Sequence, residues 1–156
     1  MLFRSMGGAT SIQVAHRFGS KIAGLVFVNP MITIKGPAQY FLPLISKFVP
    51  KLKAVGGDIK RPGSSEWSYD ALPLKGVVQL RKLLADSRAK LPSIKAPFMI
   101  FHSVDDHVLP VYNTEIYMDE IGSAQKQRIE LVNSYHVATV DYDADFIFEN
   151  SLQMLK

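Results

Sequence analysis

The chain has 156 residues, of which 47% are hydrophobic and 21% charged, and 18 basic against 14 acidic side chains leave a net charge of +4. This is the composition of a soluble globular chain long enough to bury a core, and so thin a positive excess argues against a nucleic-acid-binding surface. The absence of cysteine excludes disulfides and thiolate metal sites and fits a cytoplasmic setting, no run of about 18 apolar residues suggests a transmembrane segment, and no basic stretch followed by an apolar one marks a secretion signal.

The chain opens with MLFRSMGGAT, and a helix is expected from Ala9 to Phe18. There Ala9, Ile12, Ala15 and Phe18 recur every three residues, and Gly19 can stop the helix. Residues 22–28 form an unbroken apolar run closed by Asn29-Pro30. That is how a strand buried on both faces of a parallel sheet reads. Residues 31–73 differ, being broken by Pro37, Pro43, Pro50, Pro62 and Pro73 and by Gly56-Gly57 and Gly63. They read either as an insertion over a site or as a peripheral helical hairpin.

A helix follows from Leu74 to Arg88, with Val77, Leu80 and Leu84 on one face. Phe98–His102 reads as a second buried strand. Residues 112–121 read as a helix capped by Gly122, with Tyr112, Ile116 and Ile121 turned inward. Arg128–Val132 is a third strand. A last helix, Asp145–Leu155, offers Phe146, Ile147, Met154 and Leu155 for docking. Strands alternating with helices imply crossover connections, hence an α/β fold with a parallel sheet. In such sheets chemistry sits at the carboxyl ends of the strands.

Three sets of residues fall at those ends: Ser5 before the first helix, Asp105-Asp106 after the second strand, and His136 after the third. A serine hydroxyl needs an imidazole to take its proton, and the imidazole needs a carboxylate to hold its tautomer and stabilise its cation. The order Ser, Asp, His is that of α/β-hydrolases and not of the common serine proteases. Gly7 would let neighbouring backbone pass close to the serine, and the Met6 amide, at the helix N-terminus, is placed to donate to an oxyanion. Of the other histidines, His16 reads as structural or solvated, His102 as core, and His107 as directed away from the site. No pair of them suggests a metal site.

Ser5-Met6-Gly7-Gly8, the Ser-Val-Asp-Asp-His-Val-Leu-Pro segment from Ser103 to Pro110, and Ser134-Tyr135-His136-Val137 together resemble α/β-hydrolase carboxylesterases of the monoacylglycerol-lipase-like group. The resemblance runs through the whole of residues 1–156 as one domain but covers only the C-terminal part of that fold. It implies a serine carboxylesterase acting through an acyl-serine intermediate, without cofactor or metal, on a small ester with a lipophilic acyl chain. It further implies Ser5 as nucleophile, Asp106 as acid, with Asp105 as the alternative, and His136 as base. Residues 31–73 would be the cap, with Tyr40, Phe41, Leu44 and Phe48, joined by Trp67, lining an acyl site.

Two departures temper those implications. Phe3 stands two before the serine where the family has glycine, which would crowd a strained turn. The family's earlier strands, and the second oxyanion donor they carry, have no counterpart. Met1 to Arg4 are therefore expected to be foreign to the fold, and the strand of residues 22–28 to present a bare edge. About three strands would remain, and a complementing chain or self-association would cover the edge. The alternative function is an inactive remnant of a hydrolase, or a fragment that needs a partner chain.

Overall fold

A computed structural model describes residues 2–53 and 56–154. In chain order the elements are β1 (Leu2–Ser5), α1 (Gly7–Phe18), β2 (Leu25–Pro30), α2 (Ala38–Ile45), β3 (Lys51–Lys53), β4 (Ala71–Pro73), α3 (Leu74–Lys90), β5 (Phe98–Ser103), α4 (Tyr112–Glu120), β6 (Lys126–Leu131) and α5 (Ala144–Gln153). Among the described residues the main sheet has four strands in the order β1-β2-β5-β6, and every neighbouring pair is parallel.

The two central strands are buried at every position, and their side chains sort by alternation, as the pleat requires. Leu25 and Phe27 of β2 and Phe98 and Ile100 of β5 meet Ile12 and Ala15 of α1 and Tyr117 of α4. Val26, Val28, Met99 and Phe101 turn to the other face, where they cluster with Leu131 of β6 and with Ile147 of α5, which covers them. Helices therefore lie on both faces of the sheet. The first core is organised around aromatic edges, with Phe27 set edge-on to Phe98 at 5.1 Å and to Tyr117 at 5.3 Å.

Several expectations change here. Leu2, Phe3 and Arg4 do not stand apart from the fold but pair with Val26, Phe27 and Val28. The backbone of β2 is thus satisfied on both sides, and the open edge belongs to β1. Met1 lies outside the described residues. Phe3 does not crowd the turn, because its ring packs against the first core cluster. The glycine that allows close approach is Gly8 rather than Gly7. A Cβ at Gly8 would stand 2.9 Å from the Pro30 side chain and 3.1 Å from the Tyr117 hydroxyl, whereas one at Gly7 would find only ordinary contacts.

At the end of α4, Ile121 closes the helix with extended backbone, so Gly122 is not the cap. A Cβ at Gly122 would fall 2.0 Å from the Pro92 carbonyl oxygen, and its N–H donates to the Leu91 carbonyl at 3.0 Å. The buried face of α4 is Asn113, Thr114 and Tyr117, while Tyr112 and Ile116 are only half-buried. In α5, Ile147 is buried and Phe146 remains 45% exposed; Leu155 is outside the described residues.

Residues 31–73 join β2 to α3. Within them α2 packs on α3, and β3 and β4 form a small antiparallel pair. Residues 54 and 55 of this segment are outside the described residues. No described helix is long and apolar enough to cross a membrane.

Candidate active site

The carboxyl ends of β1, β5 and β6 bring Ser5, Asp106 and His136 to one edge of the sheet. Ser5 has φ +53°, a left-handed conformation that costs a non-glycine residue about 1–3 kcal/mol. The strain comes from a sharp strand-to-helix turn. The register with β2 slips between Arg4 and Ser5, and α1 starts two residues later. The Ser5 carbonyl is anchored by the Met31 N–H at 3.0 Å.

Asp106 follows β5 in a tight turn, where its Oδ1 accepts the N–H groups of Val108 and Leu109, each at 2.8 Å. Its Oδ2 lies 2.8 Å from Nδ1 of His136. Both side chains of this pair are nearly sealed from solvent, at 1% exposure for Asp106 and 6% for His136. The backbone donors occupy one carboxylate oxygen and leave the other to the imidazole, which sets the ring orientation. Asp105 does not share this arrangement. Half exposed, it lies 3.6 Å from Lys60 Nζ.

Ser5, Met6 and His136 line a cavity of about 330 Å³ together with Val108, Asp58 and Glu66. Among the described residues no hydrogen bond joins Ser5 to His136; they line the same cavity. Met6 precedes the first turn of α1. Arg4 and Glu66 form an ion pair across the cavity wall.

The expected acyl-site residues are elsewhere. Tyr40, Phe41, Leu44 and Phe48 are exposed, Phe48 by 79%, and Trp67 is fully exposed. None of them lines the cavity. Tyr40 lies instead in a separate cleft with Ile32, Thr33 and Leu84, under the Arg81 guanidinium at 5.2 Å. The packing of α2 on α3 leaves its aromatic face outward. The 31–73 segment reaches the cavity through Gly56, Gly57, Asp58, Glu66 and Ser68.

Of the remaining histidines, His16 accepts or donates a hydrogen bond with Ser93 on the surface. His102 is buried in β5 beside Thr114, and burial lowers its pKa, holding it neutral. His107 turns from the cavity to Asp58, with Nδ1 2.8 Å from Oδ1.

Three polar residues support the site, and only one of them leaves a mark in the sequence. Asn29 is buried at the end of β2 with φ +45°. It accepts the Ser103 N–H at 2.7 Å, and its amide donates to Ser103 Oγ and to the His136 carbonyl, each at 2.9 Å. Ser103 uses its hydroxyl to reach the Tyr135 carbonyl. Asp141, 1% exposed, accepts the N–H groups of Lys60, Arg61, Tyr135 and Tyr142. The third is Asp58. The signal for Asn29 was present as the polar residue that closes an apolar strand. Asp58 and Asp141 carry no such mark.

A parallel sheet covered by helices on both faces, with a strained serine turn leading into its first helix, defines part of an α/β-hydrolase fold. The comparisons narrow this. The chain belongs to the hydrolase family described as serine aminopeptidase, S33, whose model matches residues 1–143. It is 37% identical over 150 residues to a thermostable monoacylglycerol lipase of Bacillus sp. strain H-257, a match covering 96% of this chain and 59% of that protein. A carboxylesterase of Bacillus subtilis strain 168 is 22% identical over 152 residues, across 97% of this chain and 61% of the relative.

Among solved structures, one from work on the metagenome-derived lipolytic enzymes LipS and LipT superposes with a TM-score of 0.92 at 35% identity, covering 99% of this chain and 63% of that one. The monoacylglycerol lipase of Paleococcus ferrophilus shares the fold at a TM-score of 0.78, with 18% identity over 99% of this chain and 66% of its own. The chain thus spans about six-tenths of the length of these relatives, and its membership is in an esterase and lipase family.

Proposed function

We propose that the protein hydrolyses carboxylic esters through an acyl-Ser5 intermediate. The observation that carries this reading is the buried His136–Asp106 pair at 2.8 Å, whose imidazole opens on the same cavity as Ser5. His136 Nε2 takes the proton from Ser5 Oγ as the oxygen attacks the ester carbonyl, and returns it to the departing alkoxide. Water then attacks the acyl-enzyme by the same route. Asp106, held by two backbone amides, keeps the imidazole in the Nδ1–H tautomer and stabilises its cation. The Met6 N–H donates to the developing oxyanion; a single such donor is worth about 10²–10³ in rate.

Residues 31–73 act as the cap. The substrates are small esters with a lipophilic acyl chain, which meets the outward face carrying Tyr40, Phe41, Leu44 and Phe48 before it enters beside Met6, Val108 and Val137. A second reading has the chain inactive until a complementing chain or a second copy pairs with it. It is favoured by the outer edge of β1, which pairs with no described strand.

One experiment separates the two. A fluorophosphonate probe, with intact mass and peptide mapping, should place a single adduct on Ser5, and a short-chain p-nitrophenyl ester should be cleaved. A chain that is folded by circular dichroism and monomeric, yet carries no adduct, would sink the first reading.

A further inference from the structure

Residues 56–61 tie the 31–73 segment to both loops that carry the proposed acid and base, and three of the ties converge on one side chain. Asp58 Oδ2 accepts the backbone N–H of His136 at 3.0 Å and that of His107 at 3.3 Å. Its Oδ1 lies 2.8 Å from His107 Nδ1, and its carbonyl accepts the Val137 N–H at 3.1 Å. His107 directly follows Asp106 in the chain, so this one residue holds the acid loop and the base loop to each other from outside. Asp58 is 15% exposed and faces the cavity.

We propose that Asp58 is a positioning residue for ester hydrolysis, clamping the His136 and Asp106 loops so that the imidazole faces Ser5. The proposal rests on the reading of His136 and Asp106 as base and acid. Among the described residues no hydrogen bond joins Asp58 to Ser5 or to the His136 ring. It acts through the His136 and Val137 amides and through His107. Displacements of about 1 Å at a reacting group can cost on the order of 10²-fold in rate, and the ends of two loops are where such displacements arise.

The clamp is charged only within a pH window. Burial pushes the Asp58 carboxyl up, but the hydrogen bonds from His107 and from the His136 and His107 amides outweigh it, and its pKa falls below the ordinary 3.8. The same bond raises His107 above its ordinary 6.5. Asp105 and Asp106 also face His107 and add to the rise. The Tyr135 ring packs edge-on to it at 4.5 Å, and Lys60 sits between Asp105 and that ring. Asp58 has a lowered folded pKa, so its contribution is present above its ordinary value and lost as pH falls through the lowered one. His107 has a raised folded pKa, so its contribution is full below its ordinary value and is lost as pH rises through the raised one. Above that point the Nδ1–H bond to Asp58 persists with only the carboxylate charge to assist it.

The test compares the wild type with D58A, D58N and H107Q across pH. It measures the rate of Ser5 labelling by a fluorophosphonate, amide hydrogen exchange at His136 and Val137, and the low-field His136 Nδ1–H resonance. D58A is expected to lower the labelling rate constant on the order of 10²-fold with little change in probe half-saturation, and to lose protection at His136. D58N still accepts the His136 N–H, and should lose less rate while lowering the His107 titration toward its ordinary value. H107Q should remove the weakening of the clamp that accompanies His107 deprotonation, and keep His136 protected.

Unchanged labelling together with unchanged His136 protection in D58A would overturn the proposal. If the folded wild type does not label at all, the hydrolase reading fails instead. The positioning claim is then decided by whether the His136 Nδ1–H resonance and amide protection survive in D58A, survival overturning it.

Discussion

The central sheet and the 31–73 segment are held by different physics. In the sheet, β2 and β5 are buried at every position, and two apolar clusters grip them from opposite faces. In the segment, Ile32 joins the first core cluster and α2 packs on α3, but Tyr40, Phe41, Leu44, Phe48, Trp67 and Tyr69 are exposed, and residues 58–66 are attached through carboxylates: Asp58 to the loops of Asp106 and His136, Asp141 to Lys60 and Arg61, Glu66 to Arg4. The first kind of cohesion is non-directional and proportional to area. The second is directional and fails one bond at a time. A fold can therefore keep its frame while the segment over its site loosens, and the site residues sit where the two meet.

The largest effect tests the meeting point. Asp106→Asn retains the shape of the turn but holds the imidazole in the wrong tautomer, and the proposed rate should fall about 10⁴-fold with the unfolding midpoint little changed. Labelling kinetics beside a denaturant curve check this; a fall in stability to match the fall in rate would mean that Asp106 serves the frame. Next comes the frame itself. Phe27→Ala removes the ring that meets both Phe98 and Tyr117 and should cost about 3–5 kcal/mol in the urea midpoint. The whole molecule should lose that stability together. A loss confined to β1 and α1 would break the idea of one cohesive sheet.

Asp141→Ala probes the other kind of cohesion. It leaves the N–H groups of Lys60, Arg61 and Tyr135 without their acceptor, at a cost of about 1–3 kcal/mol. Native-state hydrogen exchange should show those amides opening while Val28 and Phe101 keep their protection. If the strands opened equally, the segment would be part of the core and the contrast would be wrong.

The same division decides what could be read from the chain alone. The runs at residues 22–28 and 98–102 announced buried parallel strands because burial on two faces leaves no polar position. The helices followed from spacing. Ser5, Asp106 and His136 stand out as candidates because each closes or follows such an element, and the structure brings them to the same end of the sheet. The pairing of Leu2–Ser5 with β2 was missed, because Arg4 and Ser5 make an edge strand look like a frayed terminus. The 31–73 segment misled more. The family resemblance implies a pocket lining at Tyr40, Phe41, Leu44 and Phe48, but these side chains are exposed, and an apolar stretch does not say what covers it. Asp58 and Asp141 act through backbone amides of distant loops, and nothing local to an aspartate says which amides the fold will bring to it.

The smallest effect is the sharpest test of the contrast, because it compares two phenylalanines. Phe27 is fully buried and Phe48 is 79% exposed. If apolar burial holds the sheet and not the segment, Phe48→Ser should shift stability by no more than about 0.5 kcal/mol, against the several expected for Phe27→Ala. The side chain has little area to lose from contact, so the transfer contribution is close to zero. An exposed aromatic cluster of this kind favours contact with an apolar partner instead. Phe48→Ser should therefore leave the urea midpoint in place, lower the binding of a hydrophobic dye, and weaken turnover of long-chain esters more than short-chain ones. A midpoint that dropped by more than about 1 kcal/mol would show that α2 and the residues after it bury against the body of the protein in solution. The segment would then be held by area like the sheet, and the carboxylate ties at Asp58 and Asp141 would be secondary to it.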